Sequence, residues 1–158
     1  DKEEIQAGTR SRGELQGVTN VVFMGMGEPL ANYENMMESI WVLNDPKGIG
    51  IGARHITVST VGLVPGIEKL AKENIQINLA VSLHAPDNET RSETMPVNKR
   101  YPIEELIEAC KYFVTKTNRR IFIEYVLLKG QNDTSMHANK LGRILKDLLC
   151  HVNLIPVT

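Results

Sequence analysis

Short apolar runs rich in β-branched residues alternate with longer amphipathic segments along the chain. The apolar runs are mostly continuous rather than alternating, which is typical of strands buried on both faces of a sheet. This pattern predicts five strands. They cover residues 20–24, 55–60, 77–83, 120–128 and 151–157.

The segments between these runs carry apolar residues at i, i+3 and i+4, as in a helix with one buried face. The clearest stripe runs from Ile103 to Val114. Others follow Asn32, Pro65 and either Asp133 or Thr134, residue types that favour helix N-termini. The resulting β-α-β-α-β-α-β-α-β order requires parallel strands joined by right-handed crossovers. It fits either an open doubly wound sheet or an arc of a (β/α) barrel.

Composition places the chain among ordinary globular proteins. Of its 158 residues 42% are apolar, and 18 Lys plus Arg nearly balance 19 Asp plus Glu. Because nucleic-acid binding usually leaves a basic excess, an RNA partner has to be argued from particular residues. No apolar run approaches the roughly 18 to 20 residues that cross a membrane. We expect a cytoplasmic protein with no membrane partner, whose Cys110 and Cys150 stay reduced.

Polar residues and glycines collect where the predicted strands end. They are Gly25, Gly27, Glu28, Ser59, Thr60, Ser82, His84, Glu124 and Asn153. Because the carboxyl ends of parallel strands share one edge, and α/β proteins bind ligands there, we expect a site at this rim. Each residue also has a structural alternative: the glycines can serve a tight turn, the hydroxyls can bond the main chain, and His84 can be a structural histidine.

Other chemistry finds less support in the sequence. Lys129 follows the fourth strand and suggests an aldolase-like Schiff base, but its "KGQND" context is typical of a solvated turn. Cys110 lies on an apolar helix stripe, and Cys150 has no evident base partner. No set of histidines has the spacing of metal ligands. We therefore predict no metal site and no cysteine nucleophile within this chain.

Several ordered segments together resemble one enzyme family. They are "FMGMGEPLANYENM", "DPKGIGIGARHITVSTVGLVPGI", "LAVSLHAPDNETRSETMPVNKRYP", "EYVLLKGQND" and "LLCHVNLIPV". From about residue 18 onward these resemble the RlmN/Cfr family of radical S-adenosylmethionine (SAM) RNA methyltransferases. Because the segments are long and occur in the same order, the resemblance is more specific than any single motif.

The resemblance implies a fold, an activity and a set of cofactor residues. The fold is a partial (β/α) barrel of the radical SAM type, of which this chain supplies about five parallel strands. The activity is methylation of C2 of adenine in 23S ribosomal RNA and, in some members, transfer RNA, with SAM and a [4Fe–4S] cluster. The residues that match the family's SAM contacts are Gly27, Glu28, Ser59, Ser82, Leu83 and His84.

Other parts of the family pattern have no match here. The cluster motif C-x3-C-x2-C and the methyl-carrying cysteine have no counterpart in the 158 residues, and Thr158 stands where the family has a SAM-contacting asparagine. The resemblance therefore assigns no catalytic residue and predicts that this chain is inactive alone. It divides the chain into a polar segment, residues 1–17, and part of the radical SAM core, residues 18–158.

Partners and alternatives complete the sequence-based picture. The long loop containing Arg91, Asn98, Lys99 and Arg100 is expected either to contact RNA phosphates or to be a solvated loop with ordinary salt bridges. A barrel arc without its end strand is expected to pair its free edge with another chain. The alternatives are a different radical SAM enzyme, such as a glycyl-radical activase, and a SAM-binding or scaffold module without chemistry.

Overall fold

The computed structural model describes residues 17–157. The predictions for residues 1–16 and Thr158 lie outside the described residues. The strands are β1 (Val21–Phe23), β2 (Ile56–Thr60), β3 (Asn78–Ser82), β4 (Ile121–Leu127) and β5 (Cys150–Pro156). The α-helices are α1 (Tyr33–Asn44), α2 (Val64–Leu70), α3 (Asn88–Thr94), α4 (Ile103–Thr117) and α5 (Ser135–Leu145), and 3-10 turns cover Pro29–Asn32, Ala53–His55 and Pro96–Lys99.

The five strands form one parallel sheet in the order β1-β2-β3-β4-β5. In a doubly wound sheet the strand order reverses at a switch point. A sequential strand order with right-handed crossovers instead places every helix on the same face of the sheet. The structure therefore confirms the (β/α) barrel arc and each of the five predicted strands. All four predicted helices are also present.

Among the α-helices of residues 17–157, α3 is the one that the apolar pattern did not predict. It has seven residues and a single buried side chain, so it carries no periodic stripe. Its start is set by Asp87, whose Oδ1 accepts a hydrogen bond from the N–H of Thr90 at 3.0 Å. An aspartate followed by a polar turn is a capping signal, but it is easily taken for a loop.

The hydrophobic core lies between the sheet and the helices that cover its outer face. Strand β4 lies between β3 and β5. Its Ile121 and Ile123 are buried in this core, while its Glu124 faces the concave side. The expectation that every strand is buried on both faces is wrong for β5, where Leu154 is 54% and Ile155 38% exposed. Ile155 faces the concave side, which has no helix layer to cover it, whereas Leu154 faces the opposite side near α5 at the edge of the sheet.

The outer strand β1 leads to a prediction about self-association. Among the described residues β1 pairs only with β2, and its Val22 is 53% exposed. An unpaired edge of this kind templates another strand, so we expect the apparent mass in light scattering to rise with concentration. Val22→Lys should suppress this rise, while Val42→Lys on exposed α1 should not. A monomer at every concentration would contradict the prediction.

Candidate functional site

A cleft of about 340 Å³ opens at the carboxyl ends of the strands. Its volume lies within the roughly 300 to 1,000 Å³ range of small-molecule sites. Five of the six predicted cofactor residues line it, and these are Gly27, Glu28, Ser59, Ser82 and His84. Glu124, which the sequence also placed at this rim, adds a second carboxylate, while Met24, Val126 and Ile155 supply apolar surface.

The turn after β1 needs two glycines for different reasons. A Cβ on Gly25 would lie 2.2 Å from the carbonyl oxygen of Gly27 and 2.7 Å from its nitrogen, so the backbone itself excludes a side chain. Gly27 has a φ of +122°, a conformation that L side chains rarely adopt, and no atom lies within 4 Å of its added Cβ. The main chain of this turn therefore stands open at the cleft.

Glu28 connects the ends of two strands. Its Oε2 accepts a hydrogen bond from the N–H of Val61 at 2.8 Å, and its Oε1 accepts one from the N–H of Leu30 at 3.1 Å. The first contact ties the end of β1 to the end of β2. Since a carboxylate oxygen has two acceptor sites, each oxygen can still accept a further hydrogen bond from a ligand.

Two serine hydroxyls are available on the concave face. Ser59 pairs in register with Ala80, and Ser82 with Glu124, so both side chains point to the same side of the sheet. Within residues 17–157 neither hydroxyl makes a hydrogen bond to another protein group. A hydroxyl can donate once and accept twice, so this pair offers both kinds of contact to a ligand.

Leu83 and His84 are neighbours in sequence but have different surroundings. The side chain of Leu83 is fully buried in the core, its N–H donates to the carbonyl of Glu124, and its own carbonyl accepts from the N–H of Ala85. Its side chain therefore does not enter the cleft. His84 does line the cleft and has a φ of +56°, a conformation unusual for a residue other than glycine.

A main-chain hydrogen bond determines the tautomer of His84. The N–H of Val126 donates to Nδ1 of His84 at 3.1 Å, so Nδ1 is unprotonated and the proton of the neutral ring is on Nε2. Burial, and then the positive charge of Arg91, lower the pKa of His84, while Glu124 opposes this shift. At neutral pH His84 is therefore an uncharged hydrogen-bond donor.

The lowered pKa of His84 predicts how stability depends on pH. Between the folded-state pKa and the ordinary value of 6.5, the unfolded chain binds the proton more readily than the folded chain. The free energy of unfolding should therefore be fully retained above pH 6.5 and fall as the pH drops through this interval. In urea titrations at several pH values, His84→Asn should reduce the slope of the free energy of unfolding against pH. His151→Asn, at an exposed position, should leave this slope unchanged. An unchanged slope in His84→Asn would assign the effect elsewhere.

Asn132 completes the rim, and the sequence pattern did not reveal it. It is buried in the connection between β4 and α5, and its Nδ2 donates to the carbonyls of His84 at 2.8 Å and Val126 at 2.7 Å. Its Oδ1 accepts from the N–H of Leu128, and its carbonyl accepts from the hydroxyl of Tyr125. Asn132 thus joins the ends of β3 and β4, as Glu28 joins β1 and β2.

Glu124 and Asn153, two of the residues that the sequence placed at the rim, are in contact. The Nδ2 of Asn153 in β5 donates to Oε2 of Glu124 in β4 at 2.8 Å. Each of the four pairs of neighbouring strands has a polar contact near the rim. The contact between β2 and β3 is made by Arg91 and is described below. These contacts connect the neighbouring strand ends that line the cleft.

The competing sites lose support in the structure. Lys129 is exposed in a turn, so the desolvation that activates a Schiff-base lysine is lacking. Burial raises the pKa of the Cys110 thiol to about 12, which leaves it a core residue. Among residues 17–157 no group of His, Cys, Asp or Glu side chains is placed to hold a metal ion. None of their helices is long and apolar enough to span a bilayer.

Comparison with known proteins identifies the class that this fold and rim define. The chain belongs to the Radical SAM superfamily, which it matches over residues 1–139. Proteins of this superfamily use SAM and a [4Fe–4S] cluster. The cleft at the strand ends is therefore the part of the chain in which a SAM contact is to be sought.

Within the superfamily, the chain is similar to the RlmN proteins, which confirms the resemblance seen in the sequence. A protein of Caldanaerobacter subterraneus named "Probable dual-specificity RNA methyltransferase RlmN" is 55% identical over 140 residues, 89% of this chain and 41% of the relative. One of Chloroflexus aurantiacus with the same name is 56% identical over 150 residues, 91% of this chain and 40% of the relative. This chain thus spans about two-fifths of the length of these relatives.

A solved structure shows the same fold. The radical SAM methyltransferase from Sphaerobacter thermophilus superposes with a TM-score of 0.85 at 55% identity, over 87% of this chain and 40% of the other. Sequence and fold therefore agree on the class of protein.

Proposed function

We propose that residues 18–158 form part of the radical SAM core of an RNA methyltransferase, and that the cleft at their strand ends binds SAM. The reaction would be methylation of C2 of adenine in 23S ribosomal RNA, with transfer RNA as a second substrate. The observation that carries the proposal is the convergence of Glu28, Ser59, Ser82 and His84 in one cleft. The RNA methyltransferase named for the similar proteins supports the reaction class.

The side chains of the cleft suit the chemical groups of SAM. Its ammonium group requires acceptors, which the carboxylate of Glu28 supplies. Its hydroxyl and carboxylate groups match the unbonded hydroxyls of Ser59 and Ser82 and the Nε2–H of His84. The exposed main chain at Gly27 allows close approach, and the apolar lining can cover the adenine.

The chain's own contribution is binding and orientation. When bound, SAM and the cluster supply the radical chemistry that activates a methyl group for a ring carbon too weakly nucleophilic for simple transfer. The described residues offer no metal-ligand group, so the cluster's ligands are assigned to none of them. His84 acts here as a neutral donor rather than as an acid or base, because its Nδ1 is committed to the main chain.

An RNA partner is best supported at the turn before α4. Lys99 and Arg100 are exposed there, whereas Arg91 and Asn98 are buried, which corrects the expectation that all four contact RNA. Exposed cations of this kind bind phosphates without sequence preference. Since ribosomal RNA is the proposed substrate, the proposal also places the protein in the cytoplasm.

Charge reversal tests the RNA contact. In the full-length protein, Lys99→Glu with Arg100→Glu should weaken RNA binding about tenfold and lower the salt slope of log K by about one to two, because two phosphate contacts are lost. Arg143→Glu with Lys146→Glu, two exposed residues at the end of α5 and directly after it, changes the charge equally and serves as control. Fluorescence titration at several salt concentrations measures both quantities. Equal effects of the two double variants would mean that net charge alone explains the weaker binding, and would contradict an RNA contact at this turn.

Product analysis tests the reaction itself. Ribosomal RNA incubated with the full-length protein, its cluster and SAM should yield 2-methyladenosine in nucleoside mass spectrometry. Ser59→Ala with Ser82→Ala should reduce the yield without unfolding the protein. Methylation at another atom would correct the proposed reaction, and no methylated nucleoside would contradict it.

A further inference from the structure

The most unusual buried group in the structure is Arg91 in α3, whose side chain is 0% exposed. Its Nε donates to the carbonyl of Leu83 at 3.1 Å. Its Nη2 donates to the carbonyls of Val61 at 2.6 Å and Ser82 at 3.2 Å, and its Nη1 to Oδ1 of Asn98 at 3.0 Å. Three of these four bonds go to main-chain carbonyls at the carboxyl ends of β2 and β3.

In the part of the chain that the structure describes, Arg91 is a cation without an anion beside it. Within residues 17–157 no carboxylate forms an ion pair with it, although transfer of a charge out of water is costly unless the charge is compensated. Burial lowers the pKa of Arg91 to about 10, so the guanidinium remains charged at neutral pH. Among the described residues its hydrogen-bond partners are three main-chain carbonyls and the amide of Asn98.

The place of Arg91 explains why such a group is kept. The ladder between β2 and β3 ends at the pair Thr60 and Val81. Beyond that pair no main-chain hydrogen bond within residues 17–157 joins the end of β2 to the end of β3. The guanidinium replaces such bonds, because it donates to carbonyls of both strand ends. Its planar set of donors can reach three carbonyls at once, which a lysine ammonium on a flexible chain does less well.

The residues that Arg91 holds are the walls of the cleft. Val61, which accepts from Arg91, donates its own N–H to Glu28. Ser82 places its hydroxyl in the cleft, and Leu83 directly precedes His84. A shift of either strand end would therefore move the two halves of the cleft apart.

We propose that Arg91 is the positioning residue of the cleft, a buried cation that fixes Ser82 and His84 on β3 relative to Glu28 and the end of β2. As far as the ligand is concerned, this inference rests on the proposed SAM site. Asn98 orients the guanidinium, and its own Nδ2 donates to the carbonyl of Asn88 and to Oγ of Ser92. The "R-x6-N" segment from Arg91 to Asn98 is thus one structural device that serves the rim.

The same charge acts on His84. The charged groups that influence its ring are Arg91, which lowers its pKa, and Glu124, which raises it. Removal of the cation should therefore raise the pKa of His84, while a substitution that disturbs only packing has no reason to do so selectively.

Two NMR measurements on this chain test the proposal without any ligand. Arg91→Met removes the charge and the hydrogen bonds, Arg91→Lys keeps the charge, and Arg100→Met removes an exposed arginine nine residues along the same connection. In Arg91→Met, the amides of Val61 and Leu83 should exchange about tenfold faster or more, and the pKa of His84 should rise. Arg91→Lys should show the faster exchange with little change in that pKa, and Arg100→Met should show neither.

Because Arg91→Lys keeps the charge, this variant still tests the proposal if Arg91→Met does not fold. Wild-type exchange rates at Val61 and Leu83 in Arg91→Lys, or exchange that is faster throughout the sheet and not at the rim, would overturn the proposal.

A SAM titration then separates this inference from the proposed function. If wild type binds SAM, Arg91→Lys should bind about tenfold more weakly, and equal affinity would overturn the positioning role. If wild type does not bind SAM but the rim amides of Arg91→Lys still exchange faster, the SAM assignment fails and the structural clamp by Arg91 is supported.

Discussion

Alanine at position 25 is expected to abolish SAM binding by this chain while the sheet remains folded. The added Cβ would stand 2.2 Å from the carbonyl oxygen of Gly27, a distance that no real contact shows, so the turn after β1 must rearrange. That rearrangement displaces Gly27 and Glu28 from the cleft. We expect a loss of affinity of at least about a hundredfold in calorimetry, since several ligand contacts fail together.

The control for this substitution is Gly142→Ala. Gly142 lies in α5, where no atom within 4 Å would meet an added Cβ, and alanine favours a helix by about 0.5 to 1 kcal/mol relative to glycine. This variant should bind SAM normally and unfold at slightly higher urea. Normal SAM binding by Gly25→Ala would show that the turn after β1 takes no part in the site.

The second large effect is expected for Asn132→Asp, which changes one atom type and almost no volume. The Nδ2 of Asn132 donates to the carbonyls of His84 and Val126, and an aspartate places an acceptor with negative charge opposite these two carbonyl oxygens. Because the site is buried, we expect a loss of about 3 kcal/mol or more in the free energy of unfolding. Urea denaturation followed by circular dichroism measures it.

Asn139→Asp provides the matched surface control for this change. Asn139 is exposed on α5, so the same substitution there should alter the free energy of unfolding by no more than about 0.5 kcal/mol. A loss below about 1 kcal/mol for Asn132→Asp would mean that the β3–β4 rim is not held together by this amide.

The strands could be located from the sequence because their signal is local. Continuous β-branched runs predicted β2, β3 and β4 to within a residue or two, and the βα alternation fixed parallel pairing. The choice between a doubly wound sheet and a barrel arc could not be made from periodicity. It depends on which strands pair, and the segment resemblance implied the answer that the strand order confirms.

The rim could be predicted in part for the same reason. Carboxyl ends of parallel strands meet at one edge, so Glu28, Ser82 and His84 could be grouped before their geometry was known. What the sequence could not show is how that edge is held. Asn132 acts on His84 across 48 residues, and Arg91 on Val61 across 30, and each looks like an ordinary loop or surface residue in its local context.

Arg91 illustrates the difficulty most clearly. Within "NETRSETMPVNKR" its neighbours are polar and charged, which favours a solvated loop that meets phosphates. The structure buries Arg91 and Asn98 and leaves Lys99 and Arg100 outside. Ser82 and Leu83 at the end of β3 show a similar difficulty. They belong to one sequence motif but face opposite sides of the sheet, so the side chain of Ser82 lines the cleft and that of Leu83 lies in the core.

The most direct test of the central claim is a calorimetric titration of SAM into this chain, with Ser82→Ala and Ser135→Ala titrated in parallel. The account predicts saturable binding at one site, about five- to tenfold weaker for Ser82→Ala, since one hydrogen bond is lost. It predicts no change for Ser135→Ala, an exposed residue at the start of α5. Lack of saturable binding, or equal affinity of Ser82→Ala and wild type, would contradict the assignment of the strand-end cleft as a preformed SAM site.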